Sequence, residues 1–158
     1  MFGIFKKKPI GVVSPMDGEL VALESINDDV FSKKLVGDGV AIIPSSGTVI
    51  APINGTVTRI FPTKHAFMIT SPNGIEVMVH VGLDTVELNG EGFTCLVKEG
   101  DRVNQASAIL DVDFNFLKAK GKEIVTPIII TSDRDIEIDK DKVGTIREGE
   151  SLLKVKFI

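Results

Sequence analysis

A single cysteine, Cys95, is the whole thiol inventory of this 158-residue chain. One thiol excludes an internal disulfide and any Cys-x-x-Cys metal site, and the apolar setting GFTCLV makes it a small core or strand residue. Long apolar runs are missing too. None approaches the roughly 18 to 20 residues that a membrane-spanning helix needs, so the chain reads as soluble. Positive charge is not in excess: 18 Lys and Arg against 22 Asp and Glu leave a formal net charge of -4, which argues against a nucleic-acid partner, since such a protein normally carries a clustered basic face to neutralise phosphates. A secretory signal is also lacking, since the opening MFGIFKKK places apolar residues before basic ones, and the expected compartment is the cytoplasm. That same order, Phe2, Ile4 and Phe5 followed by Lys6, Lys7 and Lys8, sets an apolar wedge beside a basic patch. The expectation is a flexible segment over residues 1–10 that makes weak contact with a membrane surface. Residues 11–158 have the length of a single monomeric domain with a sizeable core, and an apolar fraction of 43% excludes disorder.

What the chain has in abundance is short β-branched runs: GELVAL, GVAIIP, GTVTRI, AFMIT, IEVMVHV, TPIIIT and LLKVKF, each bounded by Gly, Pro, Asn, Asp or Ser. Many short strands separated by turn residues describe an all-β fold, an antiparallel sandwich or barrel. Helical patterning is confined to DDVFSKKL (28–35) and FNFLKAKG (114–121), each about two turns, the second ending on a C-terminal glycine at Gly121. Two echoes run through the chain. SPMDGELVAL (14–23) matches APINGTVTRI (51–60) in a Pro-x-x-Gly frame, and VKEGDRV (97–103) is answered by IREGESL (146–152). Together they imply two related β-halves, with the glycine of each frame expected to supply a tight, positive-φ turn. Biotinyl and lipoyl carrier domains have similar frames, but they attach their cofactor to a lysine in a Met-Lys turn, which is absent here.

The two histidines, His65 and His80, stand at the ends of HAFMITSPNGIEVMVH, one expected hairpin. Alternation in IEVMVHV puts Ile75, Val77, Val79 and Val81 on one face and Glu76, Met78 and His80 on the other. Two closures compete. A two-residue loop of Pro72 and Asn73 would set His65 directly opposite His80, yet such loops want a positive φ that proline cannot adopt. A three-residue loop ending at Gly74 shifts the register by one and separates the faces unless a bulge restores them. Neighbouring imidazoles suit either a metal or histidine-centred transfer chemistry. Zinc endopeptidases of the cell wall, also built from paired β-halves, carry an additional His-x-His; its absence here makes zinc hydrolysis a distant reading.

GIEVMVHVGLDTVELNGEGF (74–93) resembles the active-site signature of the glucose-family enzyme IIA of the bacterial phosphoenolpyruvate-dependent sugar phosphotransferase system. The resemblance extends through VGDGVAIIP (36–44), APINGTV (51–57), TKHAF (63–67) and EGDRV (99–103). It implies an antiparallel β-sandwich in which His80 is phosphorylated by the histidine-containing phosphocarrier HPr and passes the group to a sugar-specific IIB domain. His65 takes the place of the family's second histidine, which holds the phosphoryl group by hydrogen bond, and Thr63 matches the threonine that orients it. Gly82 is expected to turn its carbonyl back to fix the His80 tautomer. Asp84 and Asp28, with Asp29 as a competing match, would receive an arginine from the partner. The family's apolar docking rim falls on Val30, Phe31, Leu35, Val36, Phe61, Met78 and Val86, where Met78 replaces an aromatic found in some relatives. This reading needs no cofactor. The alternative is a phosphorylation-dependent regulatory module of the same fold, with zinc between His65, His80 and a partner carboxylate.

Overall fold

Each of the seven β-branched runs forms a strand in the computed structural model, which describes residues 8–140 and 143–158. In chain order the strands are β1 (Ile10–Val13), β2 (Gly18–Ala22), β3 (Asp38–Pro44), β4 (Thr48–Ile50), β5 (Gly55–Ile60), β6 (Ala66–Thr70) and β7 (Glu76–His80). There follow β8 (Phe93–Cys95), β9 (Arg102–Val103), β10 (Ala108–Val112), β11 (Thr126–Thr131), β12 (Ile136–Asp139), β13 (Gly144–Ile146) and β14 (Ser151–Phe157). They pair antiparallel into an eight-stranded sheet, β13-β2-β3-β11-β7-β6-β5-β9, and two three-stranded sheets, β1-β14-β12 and β4-β10-β8.

The burial follows the pleat. Val77 and Val79 of β7 are fully buried, while Glu76, Met78 and His80 on the other face are partly exposed. Val77, Val79, Phe67, Ile69, Val57, Ile128 and Ile130 pack in the main core with Val12, Leu153 and Val155 from one small sheet and Val49 and Leu110 from the other. The opposite face of the large sheet is covered locally. There Leu23, Ile26 and Phe31 cap Ala41 and Ile129 in a second, smaller core. β11 lies under both cores, which is why TPIIIT is buried from Thr126 to Ile130 and shows no alternation.

The two helical stretches are short, as expected. Helix α1 (Asp29–Ser32) is capped by the Asp28 carboxylate, which accepts from Val30 N–H at 2.9 Å. Helix α2 (Phe114–Ala119) ends at Gly121, φ 76, where Lys122 N–H bonds back to Leu117 O and Gly121 N–H to Lys118 O. Among the described residues no helix is long and apolar enough to cross a membrane. Phe2, Ile4, Phe5, Lys6 and Lys7 of the N-terminal wedge lie outside the described residues, and Lys8 is exposed. Ile10, expected in the flexible segment, is instead the first residue of β1, because it pairs with Val155 and packs on the main core.

Both echoes have structural counterparts at opposite ends of the large sheet. In 97–103 and 146–152, Gly100 (φ 94) and Gly149 (φ 82) make the expected positive-φ turns. The turns also share their side-chain bond: Lys98 N–H donates to the Asp101 carboxylate, and Arg147 N–H donates to the Glu150 carboxylate. β9 then pairs with β5 at one sheet edge, and β13 with β2 at the other. Gly18 and Gly55 correct the expectation. Neither adopts a positive φ; a Cβ on Gly18 would lie 2.2 Å from Ile43 O, and one on Gly55 would lie 2.2 Å from Thr70 O. Glycine is required there by close approach of a neighbouring strand, not by a turn.

Candidate active site at the β6–β7 hairpin

The hairpin closes through Pro72, Asn73 and Gly74. Ser71 N–H donates to Ile75 O at 2.8 Å and Gly74 N–H to Ser71 O at 3.0 Å. Gly74 supplies the left-handed residue, φ 91, that proline cannot, so the three-residue closure wins. The ladder therefore pairs Ala66 with His80 and runs to Thr70 opposite Glu76 without a register shift. The direct cross-strand opposition of His65 and His80 that a two-residue loop would give is not formed, and no bulge restores it.

His65 reaches His80 by another route. It lies just outside β6, after a turn in which Lys64 N–H donates to Phe61 O at 2.7 Å and Lys64 takes φ 60. Its carbonyl accepts from Val81 N–H at 2.7 Å, which ties it to the end of β7. Released from strand alternation, the imidazole meets that of His80 edge to face, with centroids 4.8 Å apart and planes 80° apart.

The partners of the two rings set their chemistry. His80 Nδ1 lies 2.8 Å from Gly82 O. A carbonyl only accepts, so Nδ1 carries the proton and Nε2 is left with the lone pair. Gly82 has φ 77, and a Cβ there would lie 2.6 Å from Thr85 Cγ2 and 2.9 Å from Glu123 O, so only glycine lets the chain fold back this way. His65 Nδ1 lies 2.7 Å from Thr63 Oγ1. Burial, with the neighbouring His80 ring, pushes the His65 pKa down to about 4. Burial also lowers that of His80, against the opposing pull of the Gly82 carbonyl and the Asp28 and Asp84 carboxylates. Near neutral pH the pair is uncharged, with one nucleophilic nitrogen on His80.

Aromatic rings enclose the pair. Phe31 sits 4.9 Å from the His80 ring and Phe61 meets the His65 ring edge-on at 5.4 Å. Asp28, not Asp29, bears on His80; Asp29 is paired with Lys33 at 3.4 Å. Asp84, with φ 59, is exposed between Gly82 and a short 3₁₀ turn, Thr85–Leu88. Val30, Leu35, Val36 and Val86 are exposed, Leu35 to 68%, while Phe61 and Met78 are half-buried. Phe31 departs from the expected exposed rim. At 6% exposure it is core, because α1 folds it down between Leu83 and the sheet, and it touches the site as a wall of the His80 ring. Cys95 is partly buried in β8, and burial pushes its thiol pKa up, as suits a packing role. Among the described residues no group of three or more His, Cys, Asp or Glu side chains could hold a metal ion, so a zinc on His65 and His80 would need a ligand from outside the described residues.

Two further residues were not singled out in the sequence. Arg59 lies 4.2 Å over the Phe61 ring, extending the stack to His65, and the Arg-x-Phe spacing is its only signal. Thr85 is fully buried and donates from Oγ1 to Val81 O at 2.6 Å. It lies inside the quoted signature, but nothing in alternation or turn chemistry marks it.

Fold and site together define an antiparallel β-sandwich that brings two histidine rings into contact at the end of one hairpin. Residues 10–136 match the family described as phosphoenolpyruvate-dependent sugar phosphotransferase system, EIIA 1, and the chain belongs to that family. It is 40% identical, over 94% of its own length and 92% of the other's, to the "PTS system glucose-specific EIIA component" of Buchnera aphidicola subsp. Acyrthosiphon pisum. Identity is 45% to the "PTS system glucoside-specific EIICBA component" of Staphylococcus carnosus, covering 91% of this chain but only 21% of that larger protein. Among solved structures, the glucose permease IIA of Mycoplasma capricolum superposes with a TM-score of 0.86 at 37% identity, covering 93% of this chain and 96% of that one. The chain is thus a glucose-family EIIA, a phosphotransferase component.

Proposed function

We propose that the chain accepts a phosphoryl group on His80 Nε2 from phospho-HPr and donates it to a sugar-specific IIB domain. The observation that carries this reading is the His80 Nδ1 to Gly82 O hydrogen bond, 2.8 Å, beside a second imidazole. It leaves a neutral nucleophile with its lone pair on one defined nitrogen. In the forward step the Nε2 lone pair forms the new P–N bond as the P–N bond of phospho-HPr breaks, and the bonding pair returns to the donor's imidazole. His80 keeps its Nδ1 proton throughout.

His65 acts as the second donor. Thr63 Oγ1–H, 2.7 Å from Nδ1, is able to donate to it; in that tautomer the remaining proton sits on Nε2, where it can hydrogen-bond a phosphoryl oxygen on the neighbouring ring. The low pKa of His65 supports this role, since the ring gives a hydrogen bond without adding a charge that would trap the phosphoryl group. Asp28 and Asp84 are suited to hold a partner arginine near the transferring group, and Val30, Leu35, Val36 and Val86 form an apolar rim around them. Both transfers take place in the cytoplasm, with the chain acting as a monomer.

The test is incubation with phosphoenolpyruvate, enzyme I and HPr. An acid-labile, base-stable label that disappears in His80→Gln supports the reading. Full labelling of His80→Gln refutes it.

A further inference from the structure

We infer that Thr85 is a positioning residue for the His80 nucleophile, acting through the two peptide planes that flank Gly82; the inference rests on the reading of His80 as the phosphoryl acceptor. A peptide unit is planar, so fixing one of its polar groups fixes the direction of the other. The Val81–Gly82 plane is held by its carbonyl, which accepts from Thr85 Oγ1 at 2.6 Å. The Gly82–Leu83 plane is held by its N–H, which donates to Glu123 O at 3.0 Å. Anchoring Leu83 N–H on one side turns Gly82 O to the other, where it meets His80 Nδ1 at 2.8 Å.

The Thr85 hydroxyl is the only side-chain group in this clamp; the rest is backbone. Thr85 is wholly inaccessible to solvent, so nothing but its hydroxyl satisfies Val81 O from that side once the loop is closed. Its methyl group bounds the space beside the Gly82 Cα, and its backbone opens the 3₁₀ turn that follows Asp84. Thr85 therefore braces the Val81 side of Gly82, while the Leu83 N–H to Glu123 O bond braces the other, and between them the Gly82 carbonyl that selects the His80 tautomer is held in place. Without the hydroxyl, the Val81–Gly82 plane loses its anchor and the Gly82 Cα shared by the two planes is held from the Leu83 side alone; Gly82 O shifts with it, the bond to Nδ1 weakens, and the proton redistributes between the two ring nitrogens.

The test uses 15N NMR of the whole, unphosphorylated chain, with phosphoryl acceptance from phospho-HPr measured alongside. The unsubstituted chain and Thr85→Ser, which keeps the hydroxyl, are expected to hold His80 as the Nδ1–H tautomer. Thr85→Val, nearly isosteric but without the hydroxyl, is expected to give a mixture of tautomers and acceptance about tenfold slower. Thr85→Ala serves the same purpose if the valine variant does not fold. A pure Nδ1–H tautomer in Thr85→Val or Thr85→Ala overturns the inference, as does a Thr85→Ser protein that behaves like the valine variant. Failure of the underlying reading looks different: the tautomers follow this pattern, but no variant, nor the unsubstituted chain, takes a phosphoryl group on His80.

Discussion

His65 and His80 hold their rings edge to face at 4.8 Å, although the cross-strand partner of His80 is Ala66. Their meeting depends on the turn at Phe61–Lys64 rather than on strand register, because that turn lifts His65 out of the β6 ladder. The weak point of this arrangement is Lys64, a residue with a Cβ held at φ 60.

Substituting Lys64 separates its backbone from its charge. Lys64→Gly should leave stability unchanged or slightly raised, since glycine enters the left-handed region without a steric cost. Lys64→Val should cost about 1–2 kcal/mol, because a β-branched side chain resists that conformation. Urea denaturation measures the first effect. NOE contacts between the two imidazoles, retained in Lys64→Gly and weakened in Lys64→Val, measure the second.

Acid should destabilise the fold through His65. Its pKa falls from 6.5 to about 4 on folding, so between those values the unfolded chain binds more protons than the folded one. Stability therefore rises with pH across that window and is lost as pH drops through it, by on the order of 1–3 kcal/mol. His65→Gln should flatten this part of the curve. Denaturation midpoints of both proteins at several pH values between neutrality and about 4 provide the comparison, and parallel curves would place the acid sensitivity elsewhere.

Removing the charge of Asp28 or Asp84 should act on both titration and encounter. Either carboxylate favours the protonated ring, so Asp28→Asn and Asp84→Asn should each lower the His80 pKa further. Asparagine still caps a helix, so the bond to Val30 N–H survives in Asp28→Asn. Association with phospho-HPr should slow by about three- to tenfold at low salt and by less at high salt, as expected for an electrostatic effect. Stopped-flow transfer rates against ionic strength read it directly.

Gly18→Ala and Gly55→Ala should be among the most damaging small substitutions in the chain. In each a Cβ would lie 2.2 Å from the carbonyl oxygen of an adjacent strand, a contact that only strand separation relieves. Each should cost about 3 kcal/mol or more and, because the two sites are equivalent in the repeat, by similar amounts. Gly121→Ala is the control. Its Cβ would meet nothing within 4 Å, so the cost there comes only from φ 76 and should be smaller.

The strands and the His80 face were legible because period-2 alternation and β-branching act locally, and IEVMVHV keeps its pattern in the folded sheet. The paired halves were legible as repeated turn frames. What escaped depends on contacts between distant segments. The hairpin closure was undecided because proline opposes one loop while register opposes the other, and the turn that lifts His65 out of strand alternation carries no sequence signature. Gly18 and Gly55 looked like turn glycines until the neighbouring carbonyls were in place. Phe31 reads as an exposed apolar residue on a short helix, and only the fold of α1 over the large sheet buries it. Thr85 is an ordinary threonine in sequence, and only because the chain doubles back at Gly82 does its hydroxyl reach Val81 O.

The proposed transfer turns on one nitrogen atom, Nε2 of His80. Its most direct test is to phosphorylate the 15N-histidine-labelled chain with phosphoenolpyruvate, enzyme I and HPr, and to read the phosphorus–nitrogen coupling by NMR. The expected result is a single phosphohistidine at Nε2 of His80, with Nδ1 still protonated, and the same product in His65→Gln, formed normally but passed to IIB more slowly. Phosphorus on His65, or on Nδ1 of His80, would contradict the assignment of the nucleophile and with it the role given to Gly82.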